Sequence, residues 1–132
     1  MQYQAVRQIT RKEYEQMLQT NDPVAIASAL LSISYWEDDW RWAQDQLLSF
    51  VDHADPHVRY TAALGFGHIA RFNGQLDLDK VEPILKHMAT SDEAPSEMFV
   101  RGTAEESLED IEIFIHKPRR QHRKFEPATR LT

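Results

Sequence analysis

Cysteine is absent from this 132-residue chain. Its absence excludes a disulfide framework, a thiolate metal site and a cysteine nucleophile, and it suits a reducing compartment. No stretch approaches the roughly 20 apolar residues of a membrane helix. The first residues, MQYQAVRQIT, carry no apolar signal-peptide core, so a cytoplasmic protein away from any membrane is expected. Strand-like alternation of apolar and polar residues is also missing, which leaves an all-α fold. The length is enough for one domain with a real core.

Cations are scarce over most of the chain. Residues 1–115 hold 9 Lys and Arg against 20 Asp and Glu, a formal charge of −11, while residues 116–132 hold 6 against 1, or +5. An acidic body repels phosphate backbones and draws cationic proteins, speeding their encounter at low salt. No nucleic acid is expected on residues 1–115. The tail, HKPRRQHRKFEPATRLT, combines clustered cations, two prolines and little apolar content, and reads as extended or disordered.

Helix signals are plentiful. Thr10-Arg11-Lys12-Glu13 matches a capping box and opens a helix over residues 11–19. Asp22-Pro23 starts a second over 24–35, an oxygen cap followed by a proline suited to the first turn. Trp40, Ala43, Leu47, Leu48 and Val51 mark a third that ends near His53, and Asp55-Pro56 restarts the chain for a fourth over 57–72. Asn73-Gly74 can close it with a left-handed residue. Leu78-Asp79 opens a fifth, with Pro83 near its first turn, and a sixth is expected over 97–115.

The chain also repeats itself. VRYTAALGFGHIARF, from Val58 to Phe72, matches VRGTAEESLEDIEIF, from Val100 to Phe114, at an offset of 42 residues. An earlier copy aligns Asp22-Pro23 and Ala29 with Asp55-Pro56 and Ala62 at an offset of 33. The second copy, with Asp55, Pro56, Val58, Arg59, Ala62, Ala63, Leu64 and Gly65, resembles the second helix of a HEAT repeat. Ile26 stands where the first copy should carry arginine, and the third copy lacks Asp-Pro. The resemblance implies a right-handed α-α superhelix, a solenoid of about three helical hairpins over residues 1–115. It also implies that Asp55, Arg59 and Arg101 form a structural ladder between repeats.

Candidate chemistry is thin. His53-Ala-Asp-Pro-His57 offers imidazoles and a carboxylate, but the proline break spoils the single-face geometry a metal needs. His68 has no nucleophile beside it, and Gly65-Phe66-Gly67 lies inside a helix rather than after a strand, so it is not a phosphate loop. No catalytic residue, metal or cofactor is expected. Two surfaces remain. Glu105, Glu106, Glu109, Asp110 and Glu112 line the sixth helix with no intervening cation, and serve either as a solvated face or as a binding surface. In SYWEDDWRWAQ, Glu37, Asp38 and Asp39 mark a turn between units. Core packing is expected for Trp36 and for at least one of Trp40 and Trp42. Those two point about 200° apart on a helix, so the other should reach the surface as an anchor.

An extended helical stack of this kind binds other proteins. Short acidic chains of this architecture resemble the immunity proteins of contact-dependent inhibition and related polymorphic toxin systems. The resemblance implies a noncatalytic partner for a basic toxin domain, often a nuclease. A HEAT-like regulatory adaptor is the alternative. A HEAT-like DNA glycosylase needs a basic wall, the opposite sign to this body, and a bilin-lyase relative would want a placed acid or thiol.

Overall fold

The computed structural model describes residues 6–90 and 99–120, and the regular structure among them is helical. The helices are α1 (Arg11–Gln19), α2 (Pro23–Trp36), α3 (Trp40–Leu48), α4 (Pro56–Asn73), α5 (Leu78–Ala89) and α6 (Val100–Ile111). From α6 the chain passes through a π-helical turn, Glu112–His116, into helical residues 117–120. The fold is all-α. No helix is long and apolar enough to cross a membrane.

The sequence starts these helices with its own side chains. The Thr10 hydroxyl accepts from the Glu13 N–H at 3.1 Å, and the Glu13 carboxylate accepts from the Thr10 N–H at 3.0 Å, completing the capping box. Asp22 and Asp55 play one role in two copies of the unit. Each carboxylate accepts the backbone N–H two residues on, at 3.1 Å from Val24 and 2.8 Å from His57, with a proline in the first turn behind it. At the far end of α4, Gly74 takes the left-handed conformation at φ 67°.

Packing follows the repeat. α4 lies between α2 and α6 and makes its most extensive contacts with them, while α1, α3 and α5 pack on α2, α4 and α6 respectively. Three antiparallel hairpins therefore stack into two layers. Stacking buries the small and aliphatic residues shared by the copies: Ala29, Ala62 and Ala104 are 0% exposed, as are Val58, Ile69 and Ile111; the shared Arg59 and Arg101, and Phe72 and Phe114, lie outside the core. The inter-helix distance is set by small side chains. A Cβ at Gly67 would lie 2.7 Å from Asp110 Oδ2 and 2.8 Å from Ser107 Oγ, so only glycine admits α6 this closely. Across the same contact the buried Ser107 hydroxyl donates to the Ala63 carbonyl at 2.7 Å.

Buried polar contacts join the hairpins. Gln44 is 0% exposed, and its side-chain oxygen accepts the Asp77 N–H at 2.6 Å at the start of α5. Its amide nitrogen donates to Asp77 and Asp45, and Arg41 reaches Asp77 at 3.1 Å. On α1, the buried Tyr14 hydroxyl donates to Gln46 at 2.8 Å. Polar groups sealed this way specify one arrangement, because a misplaced neighbour leaves them unsatisfied.

Several expectations need correction. α3 stops at Leu48 and the chain turns before His53, the Ser49 hydroxyl bonding back to the Asp45 carbonyl at 3.1 Å. Pro83 stands inside α5 rather than in its first turn. α6 begins at Val100, preceded by Phe99 in the left-handed conformation at φ 55°, and residues 97–98 of the expected helix lie outside the described residues, together with 121–132 of the tail. Residues 116–120 are helical rather than extended: Arg120 pairs with Glu112, and His116 Nε2 lies 2.9 Å from Glu82. The residues expected to form the ladder make the following contacts among the described residues. Asp55 caps its own helix, Arg59 donates to the His53 and Ala54 carbonyls at 2.8 and 3.0 Å, and Arg101 pairs with Glu105 one turn along α6 at 3.7 Å.

Candidate partner-binding surface

One face of the α2–α4–α6 layer points away from α1, α3 and α5. Along α2 it carries Val24, Ser28, Leu31 and Tyr35; along α4, Tyr60, Leu64, His68 and Phe72; along α6 and the π-helical turn after it, Glu106, Glu109, Asp110 and Ile113, all exposed or half-buried. The helical period places these side chains on solvent because the opposite stripes are spent on the core. The face grades from apolar and aromatic on α2 and α4 to acidic on α6.

Its aromatic part is a cluster of four rings. Tyr35 sits edge-on to Phe72 at 4.7 Å and to His68 at 5.8 Å, tilts against Trp36 at 5.6 Å, and His68 and Phe72 are 5.9 Å apart. Trp36 and Phe72 remain 43% and 48% exposed. The expected assignment of the tryptophans is thus reversed. Trp36 was expected in the core, but it ends α2, and its indole N–H donates outward to the Val6 carbonyl at 2.7 Å. Trp42 packs edge-on to the buried Tyr14 at 5.3 Å beneath the Arg11 guanidinium, 4.1 Å from the ring. Trp40 packs against the core with Arg41 4.7 Å above it. Position in a helix did not reveal this, because the chain before α1 and the α1 helix itself decide which ring is covered.

The acidic triplet is mostly occupied. Arg11 meets Glu37 at 3.2 Å and Asp39 at 3.5 Å, and Asp39 also caps α3 through the Trp42 N–H at 3.1 Å. The bond to Glu37 is the leading cause that raises the Arg11 pKa above its ordinary value. Asp38 is exposed. This turn is a fastening between hairpins one and two.

The α6 acids divide in the same manner. Asp110 receives Arg71 from α4 at 3.4 Å, Glu105 has Arg101, and Glu112 has Arg120, whose hydrogen bond holds its carboxyl below the usual range. The cations are therefore supplied by the first turn of α6 itself, by α4 and by the chain beyond α6. Glu106 and Glu109 are exposed and make no ion pair among the described residues. Between acids and rings lies His68, whose Nδ1 is buried without a hydrogen-bond partner. Burial, reinforced by the Arg71 cation and partly opposed by Asp110, holds this imidazole below its ordinary pKa, hence neutral.

Other features lead away from chemistry. His53 Nδ1 accepts the Asp55 N–H at 3.0 Å, so it belongs to the turn before α4. Among the described residues, no group of three or more His, Asp or Glu converges as a metal site would require. A cavity of about 530 Å³ lies by α4, α5 and α6, lined by Val51, Asp52, Arg59, Ile84, His87, Met88 and Val100 among others.

Stacked helical hairpins presenting an aromatic and acidic face place the chain among all-α proteins with an open lateral surface. No family model and no curated protein matches it. Among solved structures, a chain in the crystal structure of the CDI complex from Cupriavidus taiwanensis LMG 19424 matches with a TM-score of 0.73 and 34% identity, over 86% of this chain and 97% of that one. This chain belongs to the family of that CDI-complex protein.

Proposed function

We propose that the chain is a cytoplasmic immunity protein of contact-dependent inhibition, a noncatalytic, HEAT-like module that neutralises a cationic toxin domain by binding it. The likeness to a chain of a CDI complex, spanning nearly all of that chain, carries this reading. Charge supports it as well. The −11 of residues 1–115 gives a field that draws a cationic domain, and Glu106 and Glu109 offer carboxylates that no neighbour has neutralised among the described residues. Asp110, Glu105, Glu112, Glu37 and Asp39 also hold ion pairs within this chain and add to that field.

Kinetics against the toxin domain encoded by the gene immediately upstream tests the reading. The wild-type protein should bind that domain tightly and restore growth to cells expressing it. Glu106→Lys with Glu109→Lys should slow association about tenfold at low salt and flatten its salt dependence, because steering is long-range and screened. Absence of binding and of protection by the wild type would overturn the assignment.

A further inference from the structure

Six aromatic residues bear on the choice of anchor. Trp42, Trp40 and Phe114 each already have a cation of this chain over the ring, from Arg11 at 4.1 Å, Arg41 at 4.7 Å and Arg71 at 5.6 Å. Trp36 and Phe72 carry none among the described residues, although they are about half exposed and joined through Tyr35. A ring face attracts a cation whether the cation is internal or arrives from outside, and more strongly once water is excluded. The neighbourhood favours one arriving from outside. The acidic edge formed by Glu106, Glu109 and Asp110 lies across α4 from these rings, and Arg71 satisfies only Asp110 among the three.

From this we infer that the Trp36–Tyr35–Phe72 cluster, bridging α2 and α4, is the seat for a lysine or arginine side chain of the toxin domain, with the α6 acids drawing the cation in. The inference rests on the immunity reading and specifies its contact. Charge complementarity selects the occupant: an apolar partner alone would gain nothing from the neighbouring carboxylates, and an acidic one would be repelled. The composition matches a hot spot, with large aromatics side by side and charged residues on the neighbouring helix.

Dissociation rates measured with the same upstream-encoded toxin domain decide it. Trp36→Ala and Phe72→Ala should each speed dissociation about 30-fold while leaving association near its wild-type rate. Trp36→Phe and Phe72→Tyr should recover most of the loss. Trp42→Ala should lower the melting temperature and leave dissociation unchanged, since that ring packs on Tyr14. Replacing the toxin's surface lysines and arginines one at a time by methionine should reveal one whose effect is lost in the Phe72→Ala background. If wild type binds but both alanine variants dissociate at its rate, or if no toxin cation couples to Phe72, the seat is wrong while the immunity assignment stands. If wild type does not bind, the assignment itself fails.

Discussion

Adding one methyl group at Gly67 and one at Gly102 should move stability in opposite directions, although both glycines lie in helices. At Gly102 a Cβ meets nothing within 4 Å among the described residues, so alanine brings the helix-propensity gain, about 1 kcal/mol. At Gly67 the same gain is available, but the new carbon would sit 2.7 Å from Asp110 Oδ2, 2.8 Å from Ser107 Oγ and 3.4 Å from Ser107 Cα. The Asp110 carboxylate can swing aside at the expense of its pair with Arg71, an exposed contact of small value. Ser107 has less freedom, because its hydroxyl is buried against the Ala63 carbonyl. Breaking that bond in a buried place costs about 1–3 kcal/mol, and overpacking adds a similar amount where α6 must shift. Gly67→Ala should therefore lose about 1–5 kcal/mol net, and Gly102→Ala should gain about 1 kcal/mol or slightly less. Urea unfolding with a shared m-value measures both. A Gly67→Ala protein stabilised as much as Gly102→Ala would refute the close approach of α4 and α6.

The fastening between the second and third hairpins should be as sensitive. Gln44→Ala strands the Asp77 N–H and opens a small void, so a loss of about 2–3 kcal/mol is expected in urea unfolding. His68 should make stability fall with acidity. Its folded pKa is depressed, chiefly by burial, so the unfolded chain binds more protons as the pH drops below the ordinary value of 6.5. Stability should decline through that window and level off below the folded pKa, and a His68→Phe variant should show a flatter profile between pH 7 and pH 5. An unchanged slope in the variant would mean that other groups set the acid limb.

Much of this architecture was legible because it depends on local chemistry and on repetition. The Asp-Pro starts at residues 22–23 and 55–56 work within two residues of themselves, and the copies at an offset of 42 residues report the positions that stacking must bury. The ladder was less secure, since a resemblance transfers a residue type more readily than its partner. Arg101 occupies the position equivalent to Arg59, yet it turns to Glu105, because the third copy has no Asp-Pro turn and offers a carboxylate one turn along. Gln44 escaped notice for a related reason: its value comes from an N–H 33 residues away.

The tryptophans show most clearly why a binding face is harder to read than a core. Trp36, Trp40 and Trp42 are close in sequence and chemically alike, so their fates are decided by what comes from elsewhere. Tyr14 and Arg11, both on α1, cover Trp42. Arg41, with the core, covers Trp40. Among the described residues, the Val6 carbonyl satisfies the Trp36 indole N–H and leaves a ring 43% exposed beside Tyr35. A buried polar atom without a partner costs the fold free energy, whereas an exposed ring face can wait for a partner. The joint between hairpins and the proposed partner-binding surface are thus drawn from one stretch of sequence. Glu37, Asp39 and the two later rings fasten the stack, and the first ring, together with Phe72 from the next copy of the repeat, is left exposed as the proposed cation seat.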